Sequence, residues 1–168
     1  MNKFWKEAKD YIIIILVVMV IRTFFVTPAV VDGASMDYTL EDGQLVLINK
    51  FVYNIKDVKR FDVVVLDNTK EGDKIIKRII ALPNETIEYN NNQLYINGKR
   101  VEENYEFTDT VDFTYTTKDG EYFVLGDNRN NSKDSRWPDV GNIEREDIIG
   151  RAWVRIWPLD DFGMITHQ

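Results

Sequence analysis

The chain has 168 residues, no cysteine and a formal net charge of −7. Without cysteine it can form neither disulfides nor thiolate metal sites, and a cysteine nucleophile is excluded. The acidic balance argues against nucleic-acid binding, which requires a basic face. The single histidine, His167, is next to the last residue and is expected to fray, so a Ser-His-Asp triad is not expected. We expect neither a metal nor a cofactor.

The N-terminal segment combines positive charge with a long apolar run. Lys3, Lys6 and Lys9 precede Tyr11, and residues 11–31 are mostly apolar, close to the ~20 positions that a membrane-crossing helix needs. The lysines favour a cytoplasmic N-terminus. We therefore predict a cytoplasmic segment at 1–10, a transmembrane anchor at 11–27 and a body on the outer face of the plasma membrane.

The alternative for this segment is a cleaved secretory signal with its small-residue site at 27–29. The apolar stretch continues past Arg22, which favours the anchor. Pro28 is predicted to end the helix, because proline cannot donate to the helical hydrogen-bond ladder.

Residues 28–168 are predicted to form a mostly β domain, because short runs rich in Val, Ile and Tyr alternate with Gly, Asn and Asp turns. A peripheral hairpin or loop region is expected at about 86–120, and one helical turn at 144–148. The predicted strands are 29–34, 44–50, 59–66, 74–82, 86–89, 93–96, 121–125 and 149–157. Trp153 and Trp157 in the last strand are expected in the core rather than against a lipid surface.

Two segments hold candidate catalytic groups. Ser35 lies between small residues just after the apolar run, a position that alone indicates only a turn. Lys77 shares one face of a predicted strand with Ile75 and Ile79, and burial among aliphatic side chains would lower its pKa enough for it to act as a base. The alternative is that Lys77 is an ordinary charge on a sheet edge.

A third segment, 126–136, is a dense polar loop. Its composition is typical of a turn, and a calcium loop is disfavoured because Arg129 occupies the third ligand position. Ser132 could orient a neutral lysine, and Asp134 could pair with Arg136 to brace the loop.

Taken together, these segments resemble the boxes of bacterial type I signal peptidases, and the resemblance covers nearly the whole chain. It implies a single N-terminal transmembrane helix followed by an antiparallel β-sheet catalytic domain with a small peripheral hairpin region. The segments that carry it are 35–40, Lys77-Arg78 followed by Leu82-Pro83, and Gly126-Asp127-Asn128-Arg129 followed by Ser132, Asp134, Ser135 and Arg136.

The resemblance also implies roles for single residues. Ser35 corresponds to the nucleophile and Lys77 to the general base of a Ser/Lys dyad. Ser132 corresponds to the hydroxyl that hydrogen-bonds the lysine, and Asp134 and Arg136 correspond to the bracing pair.

Further positions follow from the same resemblance. Asp127 belongs to the supporting loop, and Val31 and Ile76 are expected to line shallow substrate pockets. Gly33 stands where some members carry a second oxyanion donor, so the backbone amide of Ser35 is expected to serve alone. Tyr38 departs from the family, which usually has proline there to fix the backbone after the nucleophile.

The sequence therefore predicts a membrane-bound serine endopeptidase that cleaves N-terminal signal peptides from exported preproteins through an acyl-enzyme. Its expected partners are preproteins with small residues at −1 and −3 and the lipid bilayer. Two alternatives stay open: an inactive membrane-tethered β-module that binds exported peptides, and a cytosolic self-cleaving Ser/Lys protease of the repressor type.

Overall fold

The computed structural model describes residues 3–67 and 73–167, and within these ranges twelve strands form two sheets with antiparallel pairing. The prediction of a mostly β domain is confirmed. The larger sheet contains β1 (Val26–Val30), β2 (Leu45–Asn49), β3 (Val63–Leu66), β4 (Ile75–Ala81), β9 (Glu121–Leu125), β10 (Ile143–Glu144), β11 (Ile148–Trp157) and β12 (Gly163–Met164). The smaller sheet contains β5 (Thr86–Asn90), β6 (Gln93–Ile96), β7 (Lys99–Val101) and β8 (Phe113–Thr116).

One helix, α1, spans Lys3–Phe24. Among the described residues, no helix combines the length and the apolar character needed to cross a bilayer. The structure therefore does not support the transmembrane anchor predicted at 11–27. The apolar run is bounded by Asp10 and Arg22, and the chain is already extended from Val26. The proposed N-terminal segment at 1–10 lies partly outside the described residues.

Pro28 does not end the helix, which stops four residues earlier. It lies in β1, opposite Leu47 of β2. Since β1 is the edge strand of the larger sheet, the missing N–H of proline costs no ladder hydrogen bond there.

Short runs of β-branched residues form the centre of the larger sheet. All four residues of β3, Val63–Leu66, are buried, as expected for a strand covered on both faces. One face packs against Ile79, Val124 and Ile148. The other face packs against Met36 and neighbouring apolar side chains, so this core supports the turn that carries Ser35.

The strand order leaves two edges near that turn. It runs β1-β2-β11-β3-β4-β9-β10, so β1 is terminal. Strand β4 pairs with β3 from Ile75, but its described pairs with β9 begin only at Arg78. The backbone at 75–77 therefore lacks a ladder partner on one side within the described chain.

The polar region after β7 is an ordered loop followed by β8. Residues 102–112 return to the larger sheet, where the Thr108 N–H donates to the Asp127 carbonyl at 3.0 Å. Its Tyr105 ring lies 3.9 Å from the Arg78 guanidinium carbon. The sequence predicted only a loop or a peripheral hairpin here.

Trp153 and Trp157 are not core residues, so that prediction is wrong. Their exposed fractions are 37% and 55%. The pairing of β11 with β2 shifts between Ala152 and Val154 and again between Arg155 and Trp157. Each shift changes which side chains face the core, and simple alternation from the sequence cannot anticipate it.

Candidate active site

Ser35 and Lys77 meet at the centre of the site. Ser35 lies in the turn after β1, and Lys77 is the third residue of β4. Lys77 Nζ lies 2.6 Å from Ser35 Oγ, in hydrogen-bond contact. The lysine is 3% exposed. The structure thus joins two residues that are far apart in the sequence.

The surroundings of Lys77 favour its neutral form. Burial lowers the pKa of Lys77 to about 8, although the nearby Asp134 and Asp127 carboxylates oppose the shift. With a pKa of that size, roughly a tenth of the amine is neutral at pH 7, far more than for a solvated lysine. The Lys77 amine can therefore accept a proton from Ser35 near neutral pH.

The turn around Ser35 is braced without proline. Asn128 donates from its backbone N–H to the Ser35 carbonyl at 3.1 Å, and from its side chain to the Ala34 carbonyl at 3.0 Å. Gly33 and Tyr38 have φ values of +84° and +82°. Proline is confined to φ near −65°, so this turn has a form that proline cannot adopt at position 38.

Gly126 packs directly against this turn. A Cβ at Gly126 would lie 2.4 Å from the Ser35 carbonyl oxygen and 2.3 Å from Ser132 Oγ. Both distances are too short for any side chain, so only glycine allows the polar loop to approach the Ser35 turn.

Ser132 reaches the site but does not make the expected contact. Its Oγ is buried and has no hydrogen-bond partner among the described residues. The expected bond to Lys77 is therefore not formed here, where the amine contacts Ser35. An unpaired buried hydroxyl is unusual, and its role as an orienting group stays a prediction.

Asp127 belongs to a fully buried ion pair beneath the dyad. Arg78 donates to both Asp127 carboxylate oxygens, at 2.8 and 2.7 Å, and both side chains are 0% exposed. Thr39 donates its hydroxyl to the same carboxylate at 2.6 Å. These contacts tie β4, the Ser35 turn and the polar loop together. The sequence showed no signal for Thr39 in this role, although Arg78 stood next to the predicted lysine.

Asp134 and Arg136 pair as the sequence predicted. Arg136 donates twice to the Asp134 carboxylate, each time at 2.8 Å. The Gly126 N–H also donates to Asp134, at 3.2 Å. The pair therefore holds the segment that packs on Ser35.

The two expected substrate-binding residues differ in position. Ile76 lines a cleft of about 220 Å³ between β1 and the start of β4. Val31 is only 4% exposed and packs in the core beside this cleft. Their role in substrate binding stays a prediction.

His167 is ordered, contrary to the expectation that it frays. Its Nδ1 accepts a hydrogen bond from the Val63 N–H at 3.0 Å. Burial, helped by Arg151 and Arg78, lowers the pKa of His167 to about 3. The imidazole is therefore neutral at pH 7, and its 3.9 Å contact with Asp62 is not an ion pair then.

In the described part of the chain, no group of three or more acidic or histidine side chains is arranged to hold a metal ion. The chemistry that this arrangement allows is proton transfer and nucleophilic attack by a serine next to a buried amine.

Comparison with known proteins agrees with this geometry. The family described as signal peptidase, peptidase S26, matches residues 5–157. The chain belongs to this family. It is 40% identical over 166 residues to signal peptidase I of Bacillus amyloliquefaciens, covering 92% of this chain and 88% of that protein. It is 38% identical over 181 residues to signal peptidase IB of Staphylococcus aureus strain N315, covering 94% and 93%.

A solved signal peptidase I from Enterococcus faecalis V583 is also similar. Its TM-score is 0.52 at 35% identity, and the match covers 58% of this chain and 97% of that one. The resemblance seen in the sequence is therefore confirmed. The family match extends from α1 to the end of β11 and includes Ser35, Lys77 and the loop with Ser132.

Proposed function

We propose that this signal peptidase family member is a serine endopeptidase that removes N-terminal signal peptides from exported preproteins. The observation that carries the proposal is the 2.6 Å contact between Ser35 Oγ and the buried Lys77 amine. Family membership supports the substrate class, and the depressed pKa of Lys77 supports its role as base. The inactive-module alternative has no support, because both reacting groups are present and in contact.

The first half of the reaction forms an acyl-enzyme. Neutral Lys77 accepts the Ser35 proton as Oγ attacks the scissile carbonyl. The Ser35 N–H makes no hydrogen bond to any described residue and is free to donate to the developing oxyanion. The protonated Lys77 then gives its proton to the leaving amine as the peptide bond breaks.

The second half releases the signal peptide. Lys77, neutral again, accepts a proton from a water molecule that attacks the acyl carbonyl. The proton returns to Ser35 Oγ as the ester bond breaks, which restores the starting enzyme. Asp134, Arg136 and Asp127 act as positioning residues in this scheme, since they hold the loop against the dyad.

The substrate binds as an extended strand beside the two free edges. The backbone at 75–77 and the outer side of β1, the terminal strand of its sheet, have no ladder partner among the described residues, and added strands bind through such edges. Ile76 lines a cleft of about 220 Å³, and the family resemblance implies that this cleft holds the small side chains at −1 and −3. Val31 forms part of its apolar support.

We place this activity at the outer face of the plasma membrane, with a cytoplasmic N-terminus. Apolar side chains from Ile12 to Val20 in α1 are 47% to 59% exposed, and this uncovered apolar surface supports the proposal that α1 contacts lipid. The lysines before Tyr11 favour that orientation. Exposed Trp157 and Phe162 give the domain an apolar surface of its own.

Single cysteines test this topology cleanly, because the chain has none of its own. A membrane-impermeant thiol reagent added to intact cells should label Lys118→Cys but label Ala8→Cys only after permeabilisation. Equal labelling of the two variants in intact cells would refute the orientation.

The activity itself is tested with a purified preprotein and intact-mass detection of its product. The enzyme should shorten the preprotein by its signal peptide, while Ser35→Ala and Lys77→Ala should not, although both fold. Undiminished cleavage by either variant would overturn the assignment. Binding without shortening by the unmodified enzyme would revive the inactive-module alternative.

Substrate choice needs its own measurement. Replacing the small −1 residue of the preprotein with a bulky aromatic residue should abolish processing, because the family resemblance implies that the cleft by Ile76 accepts only small residues at −1. Equal processing of both substrates would show that this cleft does not hold the −1 side chain.

A further inference from the structure

A second cleft, separate from the one beside β4, opens at Ser35. Its volume is about 510 Å³. One wall is the turn 33–35, and the other is the polar loop at 130–133 with Trp137 and Asp139. No residue of β1 or β4 lines it. Ser35 itself lines this second cleft, whereas the first cleft is lined by residues that precede Ser35 and Lys77 in the chain, so the two clefts have different walls.

We propose that this cleft binds the first residues of the mature protein, on the leaving side of the scissile bond, and that Lys133 and Asp139 select them by charge. The proposal rests on the proposed signal-peptide cleavage and adds a second site of substrate recognition to it.

The direction of β1 supports this placement. The cleft assigned to the signal peptide is lined by 27–30 and by Lys74 and Ile76, all of which precede the dyad along their strands. The second cleft begins at Gly33 and continues beyond Ser35. A substrate that is extended across Ser35 and fills the first cleft therefore leaves through the second.

The walls carry exposed side chains, and the two charged ones have no ionic partner in the described part of the chain. Trp137 is 54% exposed, so its indole ring is accessible for packing against a bound peptide. Lys133 and Asp139 are exposed, and neither forms an ion pair with any described residue. An aromatic platform between opposite charges suits a short peptide segment whose side chains are read by charge.

Hydrogen bonds also fix the backbone that carries these side chains. The Trp137 N–H donates to the Asp134 carbonyl at 2.8 Å, and the Trp137 carbonyl accepts from Val140 and Gly141 at 3.1 and 2.8 Å. Lys133 lies between Ser132 and the fully buried Asp134. A rigid platform lowers the entropy cost of ordering the substrate.

The charges give a definite expectation for specificity. A substrate with an acidic residue early in the mature segment should have a higher kcat/KM because of Lys133. Reversal of the charge at position 133 should lower the kcat/KM of that substrate instead. The effect should be about fivefold in kcat/KM, the size of a partly exposed ion pair, and should shrink in high salt.

The test uses two peptide substrates with one signal segment and either neutral or acidic residues at +1 to +4. The measured quantity is the ratio of their kcat/KM values. Lys133→Glu should reverse the preference for the acidic substrate, and Asp139→Lys should strengthen it. Lys56→Glu makes the same charge change at an exposed site outside the cleft and should leave the ratio as it was.

Trp137→Ala gives an independent readout. The substitution should reduce kcat/KM for a substrate that extends to +4. This reduction should be about tenfold larger than the reduction for a substrate that ends at +1. If the ratio and the length dependence are unchanged in the cleft variants, the proposal is wrong. If the unmodified enzyme cleaves neither substrate, the proposed function fails instead, so the two failures are distinguishable.

Discussion

Gly126 shows how closely single residues control the geometry of the dyad. It lies where a Cβ would meet both the Ser35 carbonyl and Ser132 Oγ. Its own N–H is held by Asp134, and its carbonyl accepts from Arg129 Nε at 3.0 Å. The position of Ser35 is therefore set from the polar loop as much as from β1.

Gly126→Ala should lower kcat/KM by about 100-fold or more, because displacement of the Ser35 backbone by even 1 Å misplaces the nucleophile. Gly163→Ala is the matched control, since a Cβ at Gly163 meets no atom within 4 Å. Steady-state cleavage of a signal-peptide substrate measures both. An active Gly126→Ala enzyme would mean that the loop does not position Ser35.

Much of this arrangement could be predicted, but mainly through the resemblance of three segments to a known family, because Ser35 alone indicates only a turn and Lys77 alone an ordinary charge on a sheet edge. Ser35, Lys77 and the Asp134–Arg136 pair were all found in the sequence. The expected hydrogen bond from Ser132 to Lys77 is not formed in the structure. A sequence motif could not predict this, because it gives the identity of a residue but not the rotamer of its hydroxyl. Asn128 has no visible signal beyond its place in the polar loop, since its bonds to the Ser35 turn depend on tertiary approach.

The loop at 102–112 connects the smaller sheet to the polar loop at 126–136. Arg129 is buried and donates to Glu103 at 2.9 Å and to Tyr89 at 2.8 Å. Burial alone would lower the pKa of Arg129, but Tyr89, Tyr105 and Glu103 raise it above its usual value, so the guanidinium stays charged. Arg136 in turn donates to the Arg129 carbonyl at 2.6 Å.

Glu103→Ala should destabilise the domain by about 3–5 kcal/mol, since it leaves the buried Arg129 cation without its carboxylate partner. Denaturant unfolding gives the change in the free energy of unfolding. Glu146→Gln, which removes an exposed charge, should change it by less than about 0.5 kcal/mol. Equal stability of the two variants would show that Glu103 does not compensate Arg129.

Elements that depend on local sequence were predicted well, whereas elements that depend on tertiary contacts were not. The strands β2 to β6 and β9 match their predicted positions within a few residues, because apolar alternation and Asn-Gly turns are local signals. The loop at 102–112 was not predictable in shape, since its order depends on the buried cations Arg78 and Arg129. Pro28 was misread because an edge strand tolerates proline as well as a helix end does.

For the molecule as a whole, the C-terminal segment closes the core beneath the site. Ile165 is buried in the cluster with Met36, and the Thr166 carbonyl accepts from Arg78 at 3.1 Å. His167 follows, neutral and largely covered, with its imidazole accepting a hydrogen bond from the Val63 N–H. Nothing local in the sequence distinguishes this packing from a frayed end.

His167 makes stability depend on pH. Its pKa is about 3 in the folded chain and about 6.5 when unfolded, so between these values the unfolded state binds more protons. Stability should therefore be complete above pH 6.5 and fall as pH drops towards 3, by up to about 1.4 kcal/mol per unit from this group. The free energy of unfolding should differ less between pH 5 and pH 7 in His167→Gln than in the unmodified protein. An equal difference in the two proteins would contradict the burial of a neutral imidazole.

The central claim is that a buried, neutral Lys77 activates Ser35, and the pH dependence of kcat/KM tests it most directly. Since only the neutral amine accepts the proton, kcat/KM should rise with pH through an apparent pKa of about 8. Asp134→Asn should move this limb to lower pH, because the Asp134 carboxylate stabilises the ammonium form. A limb near 10.4, the value of a solvated lysine, would contradict the account.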